Sequence, residues 1–383
     1  MTGSPSGDGD TAGQYRDLLW DAVLRGDEYA AVDIVVDALR DGLGAECVLL
    51  DVIGAVQQRV GTEWAANNIT VAQEHAATAI NDRVIGTLAL TNGRGSGERG
   101  RVTVACVDGE WHALPARLLA EVLRLRGFTV DYLGAQVPTQ HLITHLHRTG
   151  PDAVALSSMI ATRLPTAHAT ISACQAAGVP VIVGGAAFGA EGRYARLLGA
   201  DAWAPDARAA AATLTAGLLA PSHPHTQPMD DLPHLADQEF TLVDRNAPKL
   251  VAAVMDRLAE RIPAMRDYDD EQTQRTAEDV RHIVDFLAVA LYTGDAELFT
   301  SFLAWTADVL AARGVPATVL PPTLRMLAAE LRDFARASDV LATALQARAD
   351  ADAAASAGST DSPDAVTSAD PADAPPLRTG RPA

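Results

Sequence analysis

Five short runs rich in Val and Ala constrain this chain more than any other feature. They are "RVTVACV" from Arg101, "TVDYLG" from Thr129, "DAVALSS" from Asp152, "VPVIVGG" from Val179 and "ADAWA" from Ala200, spaced by stretches of helical period. Strands that short and that continuously apolar are buried on both faces, and the helical spacers are the crossovers between them. The expected architecture is a doubly wound parallel sheet of five strands. Such a sheet binds ligands at the carboxyl ends of its strands, beside the topological switch point. In a flavodoxin-like order that point lies between the first and third strands. Two segments therefore hold the candidate site, "DGEWHALP" after the first strand and "SSMIATRLP" after the third. The first offers Glu110 and His112, the second Ser157 and Ser158, and Gly184 and Gly185 close the fourth strand. No phosphate-cradling glycine motif follows the first strand, which argues against a nucleotide. A loop His with a carboxylate two residues away suits a metal ligand, because the carboxylate takes the second ring nitrogen and fixes the tautomer.

The texture differs on either side of the sheet. Residues 14–93 carry a helical period and no strand signal, in four amphipathic runs: "YRDLLWDAVL", "YAAVDIVVDAL", "CVLLDVIGAVQQRVGTEW" and "VAQEHAATAINDRVIGTLAL". Thr70 and Gln73 form a capping box for the fourth. "TNGRGSGERG" is a linker to the sheet domain at 101–220, and the Pro- and His-rich "APSHPHTQPMDDLPH" is a second linker. Residues 235–348 are helical again, and 351–383 have the composition of a disordered tail.

A formal net charge of -19 argues against nucleic acid and against an anionic membrane surface as partners. No apolar run reaches the length of a spanning helix, and the polar start is not a signal peptide, so a cytoplasmic location is expected. Cys47, Cys106 and Cys174 lack ligand spacing and read as small buried apolar residues.

The spacing in the sheet domain resembles the cobalamin-binding domain, whose signature is Asp-x-His-x-x-Gly, then Ser-x-Leu, then Gly-Gly. Here the pieces are "EWHALP", "SSM" and "GG", with forty-one residues between Pro115 and Ser157. Glu110 replaces the Asp and Pro115 the Gly; Glu110 can still reach an imidazole, and Pro115 suits the first turn of a helix. The resemblance implies that His112 is the lower axial ligand of cobalt, replacing dimethylbenzimidazole. It implies that Ser157, with Ser158 beside it, meets the displaced nucleotide tail, and that Gly184 and Gly185 let the backbone approach that tail. It also makes the amino-terminal four-helix bundle a cap over the corrin. "VGTEWAANNITVAQEHAATA" is similar to the cap of CarH-type photoreceptors, which sense light through adenosylcobalamin. Carried over, Trp64 shields the adenosyl group, Glu74 contacts it, and His75 is a candidate upper ligand after photolysis. CarH-type repressors also carry a helix-turn-helix domain, for which thirteen residues ahead of the cap leave no room, and no catalytic barrel is present.

The carboxyl-terminal helices look globin-like. "AEDVRHIVDFLAVALYTGDAELFTSFLAWTADVLAARG" holds two long helices broken at "TGD", with Gly294 as stop and Asp295 as the next cap. Leu298, Phe302, Trp305 and Val309 make one apolar stripe, Ile283, Leu287 and Leu291 another. Pro321 and Pro322 open a final helix. Fused to a cobalamin light sensor, such a domain resembles that of photocobilins, which hold a bilin. Biliverdin needs a carboxylate or His for its pyrrole N–H groups, Arg for its propionates and aromatic walls. Tyr268, Asp279, Arg281, His282, Trp305 and Arg325 are the candidates, and no Cys follows Cys174, so the pigment would be non-covalent. The expectation is a non-enzymatic photoreceptor binding adenosylcobalamin and biliverdin, working as a homo-oligomer or with a protein signalling partner. A corrinoid carrier for a separate methyltransferase and a haem-based sensor using His282 are the alternatives.

Overall fold

The computed structural model describes residues 8–91, 98–217, 232–261, 265 and 267–358. Residues 92–97 of the first linker, most of the second and the expected tail from 359 onward lie outside the described residues. The chain divides into two compact units, one running to Asp231 and the other starting at Leu232.

The Val-rich runs form β1 (Arg101–Cys106), β2 (Thr129–Gly134), β3 (Ala153–Ser157), β4 (Val181–Gly184) and β5 (Ala202–Ala204), all parallel, in the order β2-β1-β3-β4-β5. That is the flavodoxin-like order, with its switch point between β1 and β3. The inner strands β1, β3 and β4 are buried almost throughout, while the edges β2 and β5 are largely half-buried. An edge strand has a neighbour on one side, so the expectation of full burial fails there. Register aligns Cys106, Ser157, Gly184 and Ala204 in one row, which sets the carboxyl edge of the sheet.

Ahead of the sheet stand α1 (Asp8–Leu24), α2 (Glu28–Arg40), α3 (Ala45–Cys47), a π-helical stretch Val48–Gly54, α4 (Ala55–Ala65) and α5 (Val71–Thr91). Backbone angles at Cys47, Val48, Gly54 and Ala55 stay helical, so α3, the π stretch and α4 are one continuous rod. The result is a four-rod bundle with Leu19, Val35, Ile53, Val60 and Ile85 in its core. Thr70 and Gln73 cap α5 reciprocally, Gln73 N donating to Thr70 Oγ1 at 3.2 Å and Thr70 N to Gln73 Oε1 at 2.9 Å.

Between the strands run α6 (Leu114–Leu125), α7 (Thr139–Thr149), α8 (Leu164–Ala176), α9 (Arg193–Leu197) and α10 (Ala207–Ala216). The bundle docks on α6 and α10. Arg126, at the end of α6, grips Glu46 with two bonds of 2.8 Å, and Arg208 on α10 reaches Asp51 at 2.9 Å and Glu46 at 3.3 Å.

The second unit is all-helical: α11 (Glu239–Arg261), α12 (Asp270–Thr293), α13 (Ala296–Ala312), α14 (Leu320–Glu330) and α15 (Ala335–Gly358). Gly294 ends α12 in the left-handed region at φ 68, and the Asp295 side chain caps α13. Both apolar stripes are buried apart from half-buried Trp305. Two expectations need correction. The helix opened by Pro321 and Pro322 is not the last, since α15 follows it. That last helix runs to Gly358, past the expected start of the tail at 351, because its Ala-rich continuation keeps high helix propensity. Cys106 and Cys174 are buried, but Cys47 is only half-buried.

Candidate functional site

The loop after β1 turns sharply at Val107–Glu110, where Glu110 N donates to Val107 O at 2.9 Å and Gly109 takes φ +77. The turn drives the Glu110 side chain into full burial. Its Oε1 accepts from the backbone N–H of His112 at 2.9 Å and lies 2.6 Å from His112 Nδ1. Its Oε2 accepts from Met159 N at 2.7 Å, Ile160 N at 3.1 Å and the Ser158 hydroxyl at 3.2 Å. One carboxylate thus fastens the β1 loop to the β3 loop across the switch point. Burial alone would raise its pKa; the hydrogen bonds and charge of His112 and the Met159 N–H overcome that and hold it at about 2.

His112 keeps about a quarter of its side chain exposed. With Nδ1 committed to Glu110, Nε2 is the ring nitrogen left to meet a ligand. Trp111 stacks on the imidazole, ring centroids 4.1 Å apart, and so stiffens it from the solvent side.

On the β3 side, Ser158 is fully buried and its N–H donates to Gly184 O at 3.1 Å, while Ser157 O accepts from Val107 N at 3.1 Å. A Cβ on Gly185, at φ +101, would stand 2.2 Å from Ser158 O, and one on Gly184 would stand 3.1 Å from Ala204 O. Gly185 is thus required by neighbouring backbone before any ligand arrives, while Gly184 sits in a tight contact that a Cβ would press. Ser158 likewise spends its hydroxyl on Glu110, and Ser157 holds the carboxyl edge.

In the bundle, Trp64 is buried at the end of α4, while Glu74 is part-buried and His75 exposed in the first turn of α5. Glu74 binds His75 Nδ1 and accepts from the Thr78 hydroxyl at 3.3 Å. Both candidate axial histidines therefore carry a carboxylate on Nδ1.

In the second unit, Phe286 on α12 and Phe302 on α13 stack with centroids 3.7 Å apart. The turn at Gly294–Asp295 joins these two helices. His282 Nδ1, Trp305 Nε1 and Thr306 Oγ1 are all buried without a hydrogen-bond partner. Burial lowers the His282 pKa against the pull of Asp285 and Glu278, so the ring is neutral at pH 7. The remaining candidates are dispersed. Asp279 is half-buried, Arg281 is tied to Asp285 at 2.7 Å, Tyr268 lies before α12, and Arg325 is exposed on α14 with no ion pair among the described residues. Thr306 was not legible as a candidate, since Thr inside an apolar stripe reads as core.

Comparisons with known proteins bear on the first unit. Residues 15–89 and residues 100–214 each match a family model described as B12 binding domain. The bundle and the sheet domain are therefore similar to B12-binding domains, and cobalamin is the cofactor that this similarity implies. Over 134 residues the chain is 33% identical to the HTH-type transcriptional repressor CarH of Myxococcus xanthus, a match covering 33% of this chain and 43% of that protein. The chain thus spans less than half the length of that relative. It is 23% identical over 206 residues to trimethylamine corrinoid protein 1 of Methanosarcina acetivorans, covering 52% of this chain and 94% of the other. Among solved structures it aligns with the monomethylamine corrinoid protein of Methanosarcina barkeri at 20% identity and TM-score 0.47, over 53% of this chain and 98% of that one.

Proposed function

We propose that this protein is a cytoplasmic, non-enzymatic light sensor that binds adenosylcobalamin in its first unit and biliverdin in its second. The observation that carries the cobalamin half is the Glu110 clamp, which presents His112 at the switch point with Nδ1 already taken. The residues fit the cofactor. His112 Nε2 would hold it from below, Glu110 would fix the imidazole tautomer, and Ser157 with the Gly184–Gly185 corner would border the tail. Bound adenosylcobalamin supplies a cobalt–carbon bond that light can break. On the upper side Trp64 would pack against the adenosyl group, Glu74 would contact it, and His75, its Nδ1 held by Glu74, is the candidate ligand once that group is gone. Loss of the packing against Trp64 would let the bundle shift on α6 and α10, a small change passed to a second copy or a signalling partner.

The second unit, read as globin-like, offers three buried polar atoms without partners, on His282, Trp305 and Thr306, and a stacked pair of aromatic rings, Phe286 and Phe302. That arrangement suits a flat pigment carrying N–H and carbonyl groups. Arg281 would have to exchange Asp285 for a propionate, an exchange eased because burial raises the Asp285 pKa against the pull of Arg281. Since no Cys follows Cys174, the pigment would be released on denaturation.

The likeness to a corrinoid protein along the bundle and sheet favours a second reading, a corrinoid carrier for a methyltransferase. Titration with adenosylcobalamin and methylcobalamin in the dark separates the two. A sensor with an adenosyl pocket at Trp64 binds the adenosyl form more tightly by about tenfold, equivalent to about 1.4 kcal/mol. Equal affinity for both favours the carrier. The same titration with biliverdin and with haem tests the second unit: a haem band abolished by His282→Ala would replace the bilin by haem.

A further inference from the structure

The segments joining each strand to the following helix are residues 107–113, 135–138, 158–163, 185–192 and 205–206. Across all of them, Arg163 is the sole Lys or Arg. It stands on the β3 side of the switch point, yet its guanidinium lies against the β1 loop. A Cβ built on Gly109 would be 2.9 Å from Arg163 Nη1 and 3.1 Å from its Cζ. Glycine lets the guanidinium lie this close without shifting, and the positive φ at Gly109 suits glycine for a second reason.

Arg163 Nε is buried and unpartnered. Of the two carboxylates that flank Gly109 in sequence, Glu110 has both oxygens occupied by His112, Ser158, Met159 and Ile160, and Asp108 forms no ion pair with Arg163 among the described residues. Arg117, at the start of α6, is already engaged with Glu121 at 3.2 Å and with the Tyr132 ring. A buried Arg donor without an acceptor is costly unless a ligand supplies one. In a chain of net charge -19, the one Lys or Arg of these segments also gives an anion a favourable local potential there.

Cobalamin carries one such anion. Its corrin side chains are neutral amides, whereas the nucleotide tail contains a phosphodiester. We infer that Arg163 binds that phosphodiester once His112 has displaced the tail from cobalt, and so selects complete corrinoids over those lacking the tail. Guanidinium suits this task because its planar fork matches two phosphate oxygens. The inference rests on the placement of His112 below cobalt proposed above.

The test compares adenosylcobalamin with adenosylcobinamide, which has the same corrin and no nucleotide tail, on the full chain. The wild type should bind adenosylcobalamin about tenfold to a hundredfold more tightly, the range expected for charge-assisted hydrogen bonds. Arg163→Gln should bring the two affinities within about threefold, and Arg163→Lys should keep part of the gap, since an ammonium retains the charge but not the fork. A gap that survives Arg163→Gln, or a wild type with no gap, overturns the assignment. Unchanged far-ultraviolet circular dichroism and melting temperature in Arg163→Lys guard against a folding defect. The spectrum of the bound corrinoid reports separately whether the nucleotide base has left cobalt, so failure of His112 and failure of Arg163 are distinguishable.

Discussion

Glu110 has no exposed surface, yet its pKa of about 2 keeps it ionised at neutral pH. What holds the charge is a set of donors from both loops, and that has a consequence for stability. The folded pKa lies below the ordinary value of 4.5, so the contribution is complete above about pH 4.5 and is lost as pH falls through about 2. A shift of that size corresponds to a few kcal/mol, about 3 as an order of magnitude. Glu110→Gln should therefore destabilise the first unit at pH 7 by about 2 kcal/mol, because an amide cannot accept from both loops at once. Its denaturant midpoint should also lack the part of the acid-range decline that the wild type shows between those two pH values. Identical acid profiles for the two proteins would dismiss the clamp. His112 and Glu110 were legible in the sequence because a parallel sheet dictates where its site lies. The reach of Glu110 to Met159 and Ile160 was not, since those partners lie some fifty residues away and are backbone groups with no sequence signature. Arg163 was hidden differently: beside "LP" at a helix start it reads as a solvated charge.

At the scale of elements, the strands were the most legible part, since runs of Val between helical stretches admit one class of sheet. The π stretch Val48–Gly54 was not. Its apolar positions Val48, Leu49, Val52 and Ile53 suit an α period as well, and what marks it is its packing, with Gly54 facing Leu118 of α6. Nor did the sequence reveal which charges dock the bundle on the sheet domain. Glu46 is held below its ordinary pKa chiefly by the Arg126 side-chain hydrogen bond, against the opposing effect of burial. Arg126→Ala should loosen this contact. The pair is partly exposed, so the loss should be about 1 kcal/mol, shrinking in high salt. Thermal melts of both proteins at low and high ionic strength read it directly. A loss that is independent of salt would assign Arg126 a packing role in place of an electrostatic one.

At the scale of the whole molecule, the two units carry different chemistry. The first presents a clamped His at the switch point and Trp64, Glu74 and His75 in its bundle; the second presents buried polar atoms without partners on His282, Trp305 and Thr306. The net charge of -19 disfavours nucleic acid as a partner by electrostatic repulsion. The central claim is that light is read through the upper ligand of cobalamin. It is tested most directly by the absorption spectrum of the purified protein loaded with adenosylcobalamin in the dark, recorded before and after illumination, together with its elution volume on size exclusion. The account predicts a dark spectrum with the nucleotide base off cobalt, a light-driven spectral change whose final form needs His75, and an accompanying change in elution. A spectrum and elution volume that illumination leaves unaltered would contradict it.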